Sequence, residues 1–508
     1  MATSTAVGLE RVSRVVGYQL TKGQFQNTTS NLPQRIAILA EANTANQATI
    51  DFEAPKEFTT LKEVGDLYGY GSPIYQVMRI LRPANSDGVG GIPTIIYPQE
   101  MPVGATSTTV SITPTGTATS NATHTIEING RGVIDGGSFN VNISTGDTVA
   151  MIVTKVATTI NNVLQSPVIA TDGTTEATVE TKWKGLTSSG LNIVVNTNGN
   201  SAGITYATNM DTTGTGSPTV TEALSLFGSQ WNTMVLNSYG EQAFVELESF
   251  NGVPSENSPT GRYQAVIMKP FVAFYGDTTQ DPTVLTDVEA RKGEVTNSVC
   301  PAPRSSGFNW EASANMIVLA SRIYQDKPNI DVNGLSYSDM PIPSNGDIGN
   351  MAQYNTRDSF VKKGSSTVDI IAGRYQVQDL VTTYHPDGET PPAFRYVRNL
   401  MLDFNVRYGY YLLEQNFVVD KTILNDDDIS SAQDIVKPKT WNSTVNSYAD
   451  DLANRALIAD AQFMKDSIVV SIGASNPDRL ETFFRYKRSG VARIASTTAE
   501  AGFNFGNI

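Results

Sequence analysis

Hydrophobic positions first close up into an unbroken run at "QRIAILAEA", Gln34 to Ala42, which predicts a short buried strand. Ahead of it, Gly8 to Leu20 alternates instead, placing Arg14, Val16, Tyr18 and Leu20 on one strand face. The polar, turn-rich "TKGQFQNTTSNLP" separates the two. The leading strand is therefore tethered, and belongs to a domain of its own or to a neighbouring molecule.

Helical spacing appears next, in "TLKEVGDLYGYGSPIYQVMRILRP". Thr60 and Glu63 fit a capping box at the start of one helix. Ser72 suits the N-cap of a second and Pro73 its first position; Ile74, Val77, Met78 and Leu81 then recur on one face until Pro83. "PTIIYPQE" reads as the following strand, and strand–helix–strand predicts an α/β layer.

The pattern changes at about Met101. To about Glu222 the chain is rich in Thr, Ser, Gly and Asn, with short β-type runs such as "TVSIT", "HTIEING", "FNVNIS" and "LNIVVNT". That texture predicts a β-sandwich or small barrel, with one helix at "MIVTKVATTINNVL". α/β texture resumes afterwards, so the block reads as an insertion whose removal leaves the parent core intact.

Beyond it, "WNTMVLN" and "RYQAVIMKPFVAFYG" read as strands, "EQAFVELESF" and "SANMIVLASRIY" as helices, and Thr286 with Glu289 as a second capping box on "TDVEARKGEV". "STVDIIAGRYQVQDLVTTYHPDGE" predicts a strand pair or one long strand. "AFRYVRNLMLDFNVRYGYYLLEQNF" and "SYADDLANRALIADAQFMKD" each predict one helix, and "SIVVSIG" and "LETFFRYKRSGVARIAS" closing strands.

Composition narrows the function. The chain of 508 residues is 40% hydrophobic and carries a net charge of −14. Such a charge opposes nucleic-acid binding, which needs a positive field. No apolar run has the length of a membrane helix, and the first residues lack a signal-peptide core, so neither stable membrane insertion nor export is expected. With Cys300 alone and only His124 and His385, an internal disulfide is excluded and a classical zinc site is not expected.

Three stretches invite a chemical reading and give a plainer one. Gly69 and Gly71 lack the third glycine, the preceding strand and the lysine of phosphate loops, and read as a tight turn between helices. "NDDDIS", Asn425 to Ser430, lacks the alternation of a calcium loop and reads as a helix cap. His385 beside Asp387 suggests an acid–base couple but sits in a turn sequence with no nucleophile motif; His124 reads as a surface residue. The chain is not expected to be an enzyme or to use a cofactor. The basic stretch Arg485, Lys487, Arg488 and Arg493 is either a charge-protected strand edge or a dock for an acidic partner.

In order and spacing, "FTTLKEVGDLYGYGSPIYQVMRILRP", "MPIP", "KKGSSTVDIIAGRYQVQDLVTTYHPDG" with the long helix after it, and "GASNPDRLETFF" resemble the tail sheath proteins of contractile-tailed phages, nearest the Mu-type branch. The resemblance covers most of residues 30 to 490, except the block from Met101 to Glu222. It implies a multi-domain α/β (α+β) protein that stacks as hexameric rings around a tail tube and contracts to drive that tube through the host envelope. The partners implied are neighbouring sheath subunits, the tube protein, and baseplate and terminator proteins, in a virion tail assembled in the bacterial cytoplasm.

On this reading residues 1–30 form an N-terminal arm, 31–100 with 223–352 a discontinuous α/β domain, and 101–222 the inserted β-rich domain. Residues 353–484 form a tube-facing α/β domain and 485–508 a C-terminal arm and tail. The arms would add strands to neighbouring sheets through Val12, Val16, Tyr18, Leu20, Val491 and Ile494, with Arg485, Lys487, Arg488 and Arg493 as tube-facing cations. A major capsid or surface-layer lattice protein shares the large, acidic, catalytically bare character. A carbohydrate-binding tail fibre shares the Thr/Gly-rich block, but the fibrous repeats it requires are missing from the sequence.

Overall fold

The computed structural model describes residues 30–84, 88–132 and 135–501. The chain enters through β1 (Ile36–Glu41), followed by β2 (Lys56–Glu57), α1 (Leu61–Tyr68), α2 (Pro73–Leu81) and β3 (Thr94–Gln99). It then leaves this layer for the insert: β4 (Thr109–Thr115), β5 (Ala122–Ile128), β6 (Ser138–Ile143), α3 (Val149–Asn161), β7 (Val168–Asp172), β8 (Ala177–Thr181), β9 (Ile193–Asn196) and β10 (Thr205–Thr212). It returns through α4 (Thr221–Ser225), β11 (Met234–Asn237), α5 (Phe244–Asn251), β12 (Val272–Asp277), α6 (Thr283–Thr286), β13 (Asn297–Pro301) and α7 (Asn309–Asp326).

β1 lies inside a six-stranded sheet of order β13-β12-β11-β1-β3-β2, parallel except for β2. Every residue of β1 is buried, as expected of a parallel strand covered on both faces. Ile36, Ile38 and Ala40 enter the core shared with α2 and α7, while Ala37 and Leu39 face Leu224 of α4 and Leu247 of α5. Each isoleucine and leucine among them contributes about 1.5–3 kcal/mol of burial.

The insert has one core between two antiparallel sheets, β10-β4-β8-β7 and β6-β5-β9, with α3 packed in it through Ile152, Val156 and Ile160. It does not hang free. Trp183 is fully buried in the α/β core, edge-on to Phe308 and Trp310 at 5.5 and 5.8 Å. Arg131 is clamped between Glu311 at the start of α7 and Asp339. These contacts tie the block to the parent core and weigh against the expectation that it can be removed without cost.

The remaining chain forms α8 (Tyr354–Lys362), the hairpin β14 (Thr367–Ile371) and β15 (Arg374–Asp379), α9 (Val397–Phe417), β16 (Thr422–Ile423), β17 (Ile435–Val436), α10 (Pro438–Asn454), α11 (Ala461–Ser467), β18 (Val469–Ile472) and β19 (Leu480–Phe483). Val368, Tyr375 and Val377 of the hairpin, and Val397, Leu400 and Phe404 of α9, belong to the α/β core. A separate carboxyl-terminal core begins with Leu402, Val406 and Tyr410 and continues through α10 and α11. A boundary at residues 352 and 353 thus cuts through a shared core; the change of core falls within α9.

Several local expectations are revised. The strand expected over "RYQAVIMKPFVAFYG" starts only at Val272, after Pro270, and Val266 is almost fully exposed. Thr286 ends the four-residue α6 and donates to the Lys363 carbonyl, so it caps nothing. The single helix expected from Ser447 to Asp466 is two, α10 and α11; the chain turns at Ala456 (φ 53°), and Asp460 caps α11 by accepting from Phe463 N–H at 2.9 Å.

Candidate assembly interface

Gly69 and Gly71 both have positive φ, 92° and 81°, between α1 and α2. A Cβ at Gly69 would meet Asn43 Nδ2 at 2.3 Å, and one at Gly71 the Ser166 carbonyl oxygen at 2.2 Å. The pair thus turns the chain and lets insert backbone close over the turn. Ser72 Oγ accepts from Tyr75 N–H at 3.1 Å, and Pro73 occupies the first helical position. The groups around the turn are backbone and side-chain amides committed to structure: Asn43 donates to the Tyr70 carbonyl and Asn46 to that of Leu67.

The histidines are also committed. His124 is fully buried, not exposed as expected, with its ring nitrogens 2.7 Å from the Tyr206 hydroxyl and 3.0 Å from the Asn200 carbonyl. His385 faces Asp287 at 3.2 Å, while Asp387 pairs with Lys292, so the suggested couple does not form. Asp426 of "NDDDIS" accepts from Lys439 N–H at 2.8 Å in the first turn of α10, but from outside the N-cap position, which Lys437 holds without a side-chain cap bond.

The surface suited to another chain is β18 with β19. They form a two-stranded antiparallel sheet of their own, so among the described residues each strand keeps one edge unpaired by sheet bonds. On one face Val470 and Leu480 pack on the carboxyl-terminal core, and Thr482 accepts from Trp441 Nε1 at 2.9 Å. On the other, Val469 and Phe483 are 60% and 53% exposed. Open edges together with an outward apolar pair are what an added strand needs.

After β19 the chain is not a strand but a latch on its own body. Phe484 and Tyr486 pack on the carboxyl-terminal core, and Tyr486 donates to Asp403 at 2.9 Å. Arg488 grips the same carboxylate with two hydrogen bonds, at 2.8 and 2.6 Å. Burial alone would lower the Arg488 pKa, but Asp403 outweighs it and the guanidinium is held more firmly charged. Arg398, buried in α9, donates to the Ser489 hydroxyl at 2.6 Å, and Arg493 pairs with Asp331 while lying 3.6 Å over the Tyr396 ring.

The four basic residues therefore divide. Arg488 and Arg493 are spent on internal acids, which removes them as free cations for a partner. Lys487 pairs with Asp460 at 2.9 Å but is 52% exposed; Arg485 lies over Phe483 at 5.4 Å and, among the described residues, makes no ion pair. Val491 is half-buried and Ile494 is 82% exposed, and the latch contacts extend as far as Arg493. Val12, Val16, Tyr18 and Leu20 lie outside the described residues. The latch partners Asp403, Asp331 and Arg398 carry no local sequence signal, because they lie some 85 to 160 residues away in sequence, and only Asp403 and Arg398 share a helix, α9.

No family model matches this chain. The tail sheath protein of the Mu-like prophage FluMu of Haemophilus influenzae is 24% identical over 428 residues, covering 82% of each chain. Among solved structures, the sheath tail protein of Desulfitobacterium hafniense aligns over 94% of this chain and 100% of its own at 10% identity and a TM-score of 0.46. The contracted helical sheath of the anti-feeding prophage aligns over 97% and 100% at 9% identity and a TM-score of 0.42. The resemblance carried by the sequence motifs is thus matched by a curated tail sheath relative that spans most of both chains.

Proposed function

We propose that this protein is the structural subunit of a contractile tail sheath: it polymerises as stacked hexameric rings around a tail tube and contracts to drive the tube through a host envelope. The sequence relative supplies the sheath role. The observation in the fold that supports it is the β18–β19 hairpin, an open-edged sheet mounted on a separate carboxyl-terminal core. Strands received there from neighbours would link subunits while letting their bodies rotate, and repetition over many copies would multiply a modest pairwise hold.

Donor strands come from the N-terminal segment with Val12, Val16, Tyr18 and Leu20, and from the tail beyond Arg493 with Ile494. The tube, baseplate and terminator proteins are the further partners, the virion tail is the location, and assembly takes place in the host cytoplasm. The work of contraction comes from the difference between two packings, without nucleotide or cofactor.

Negative-stain microscopy of the purified full chain tests this. Sleeves or stacked rings support the sheath; flat sheets or closed shells overturn it in favour of a lattice or capsid protein. Deleting residues 1–22 should leave folded protein that no longer polymerises, and normal sleeves from that variant would remove the N-terminal segment as a donor.

A further inference from the structure

Two carboxyls sit at the seam between the insert and the α/β sheet, and they are held in opposite ways. Glu311 faces two guanidiniums, Arg131 at 2.8 Å and Arg79 at 3.4 Å. Glu41, at the end of β1, is fully buried and, among the described residues, forms no ion pair. Its Oε1 accepts from the Thr187 hydroxyl of the insert, which in turn accepts from Trp183 Nε1 at 3.1 Å. Its Oε2 has no hydrogen-bond partner; the Tyr239 hydroxyl approaches without completing one.

We propose that the seam is a proton-dependent clasp, closed on the neutral acid of Glu41 and loosened when water must enter to solvate its carboxylate.

An isolated buried carboxylate is costly, whereas a neutral acid is tolerated. Burial, tempered by Tyr239, raises the Glu41 pKa to about 8. In an opened seam it would return to the ordinary value of 4.5. The open form then binds fewer protons than the closed form between those values, so closure weakens as pH rises. The opening constant should climb about tenfold per pH unit from 4.5 towards 8 and level off above.

The other groups facing the site do not mimic this. Gln99, beside Glu41 on β3, is neutral. Tyr239 is pushed further above its usual range and stays protonated. Lys182, whose carbonyl crosses the seam, is lowered by burial to about 8 from 10.5; its titration therefore strengthens closure, and only at pH above that window.

Thr44 N–H donates to the Lys182 carbonyl at 2.9 Å across the seam, so its exchange with solvent reports opening. Hydrogen exchange of the full chain, corrected for intrinsic base catalysis, should show protection at Thr44 falling about tenfold per unit from about pH 5 to about pH 8. In Glu41→Gln protection should be independent of pH. Constant protection in the natural chain, or the same slope in Glu41→Gln, overturns the proposal. Should Glu41→Gln not fold, Thr187→Val decides: lower protection at every pH with the slope retained supports the clasp, and protection equal to that of the natural chain overturns it.

Discussion

Arg131 of the insert reaches Glu311, the third residue of α7, with Nη2 2.8 Å from Oε1, and both side chains are buried. The same carboxylate accepts from Phe308 N–H at 2.9 Å, so one group both caps the long helix and anchors the insert. Removing Arg131 leaves a buried carboxylate with the more distant Arg79 as its remaining cation. Arg131→Met should cost about 3 kcal/mol, measured by denaturant unfolding, because breaking one side of a buried pair strands the other charge. Arg131→Met with Glu311→Gln should cost distinctly less. Equal losses would show that packing of the arginine stem, not charge, holds the seam.

Replacing Pro102 to Thr221 with a short Gly/Ser linker makes a sharper demand on the same seam. It would expose Phe308 and Trp310, stacked at 4.4 Å, take away Trp183 that covers them, and strand Glu311. Each effect is worth a few kcal/mol, against a typical total stability of about 5–15. The linker protein should aggregate or melt far below the natural chain in a thermal shift assay. A soluble protein of unchanged melting temperature would show that the insert is a dispensable decoration.

The seam also marks where the sequence stops being legible. Strand–helix–strand order, the caps at Ser72 and Pro73, and the β texture of the insert all follow from spacings within about twenty residues. Trp183 packs edge-on to Phe308 and Trp310, more than a hundred residues later, and Arg131 meets Glu311 across 180 positions. No local period encodes such pairs. His124 misled for the same reason: its Thr-rich strand looks exposed, yet alternation puts that position inward, where Tyr206 on a distant strand receives it. The basic stretch at the end was visible as charge, but the acids that consume half of it come from the loop after α7 and from α9.

That division gives a direct test of the C-terminal latch. Arg488→Glu should destabilise the protein by about 2–3 kcal/mol, since two charge-assisted hydrogen bonds to Asp403 become a repulsion. Lys487→Glu touches an exposed pair and should change stability by less than about 1 kcal/mol. If Lys487 and Arg485 dock on the tube, the double charge reversal at those two sites should give empty sleeves of normal melting temperature. Sleeves that still enclose tubes would end the docking role of this stretch.

The hairpin can be tested without disturbing the subunit that carries it. Val469 and Phe483 point away from the core and are more than half exposed, so Val469→Ser with Phe483→Ser removes little that the isolated subunit buries. They are also directly opposite each other in the β18–β19 register, which makes them one apolar step on the open face. If neighbouring strands extend this sheet, their side chains continue that step, and burying it contributes about 1.5–3 kcal/mol per residue at every junction. The double variant should therefore melt within about 1 kcal/mol of the natural chain yet fail to form sleeves, or form them only at far higher concentration, by light scattering and negative-stain microscopy. Charge at the same positions should be worse, because a desolvated aspartate would sit between strands. Full assembly of the Ser/Ser and the Asp/Asp variants would place the subunit contacts elsewhere and leave the open hairpin without a partner strand.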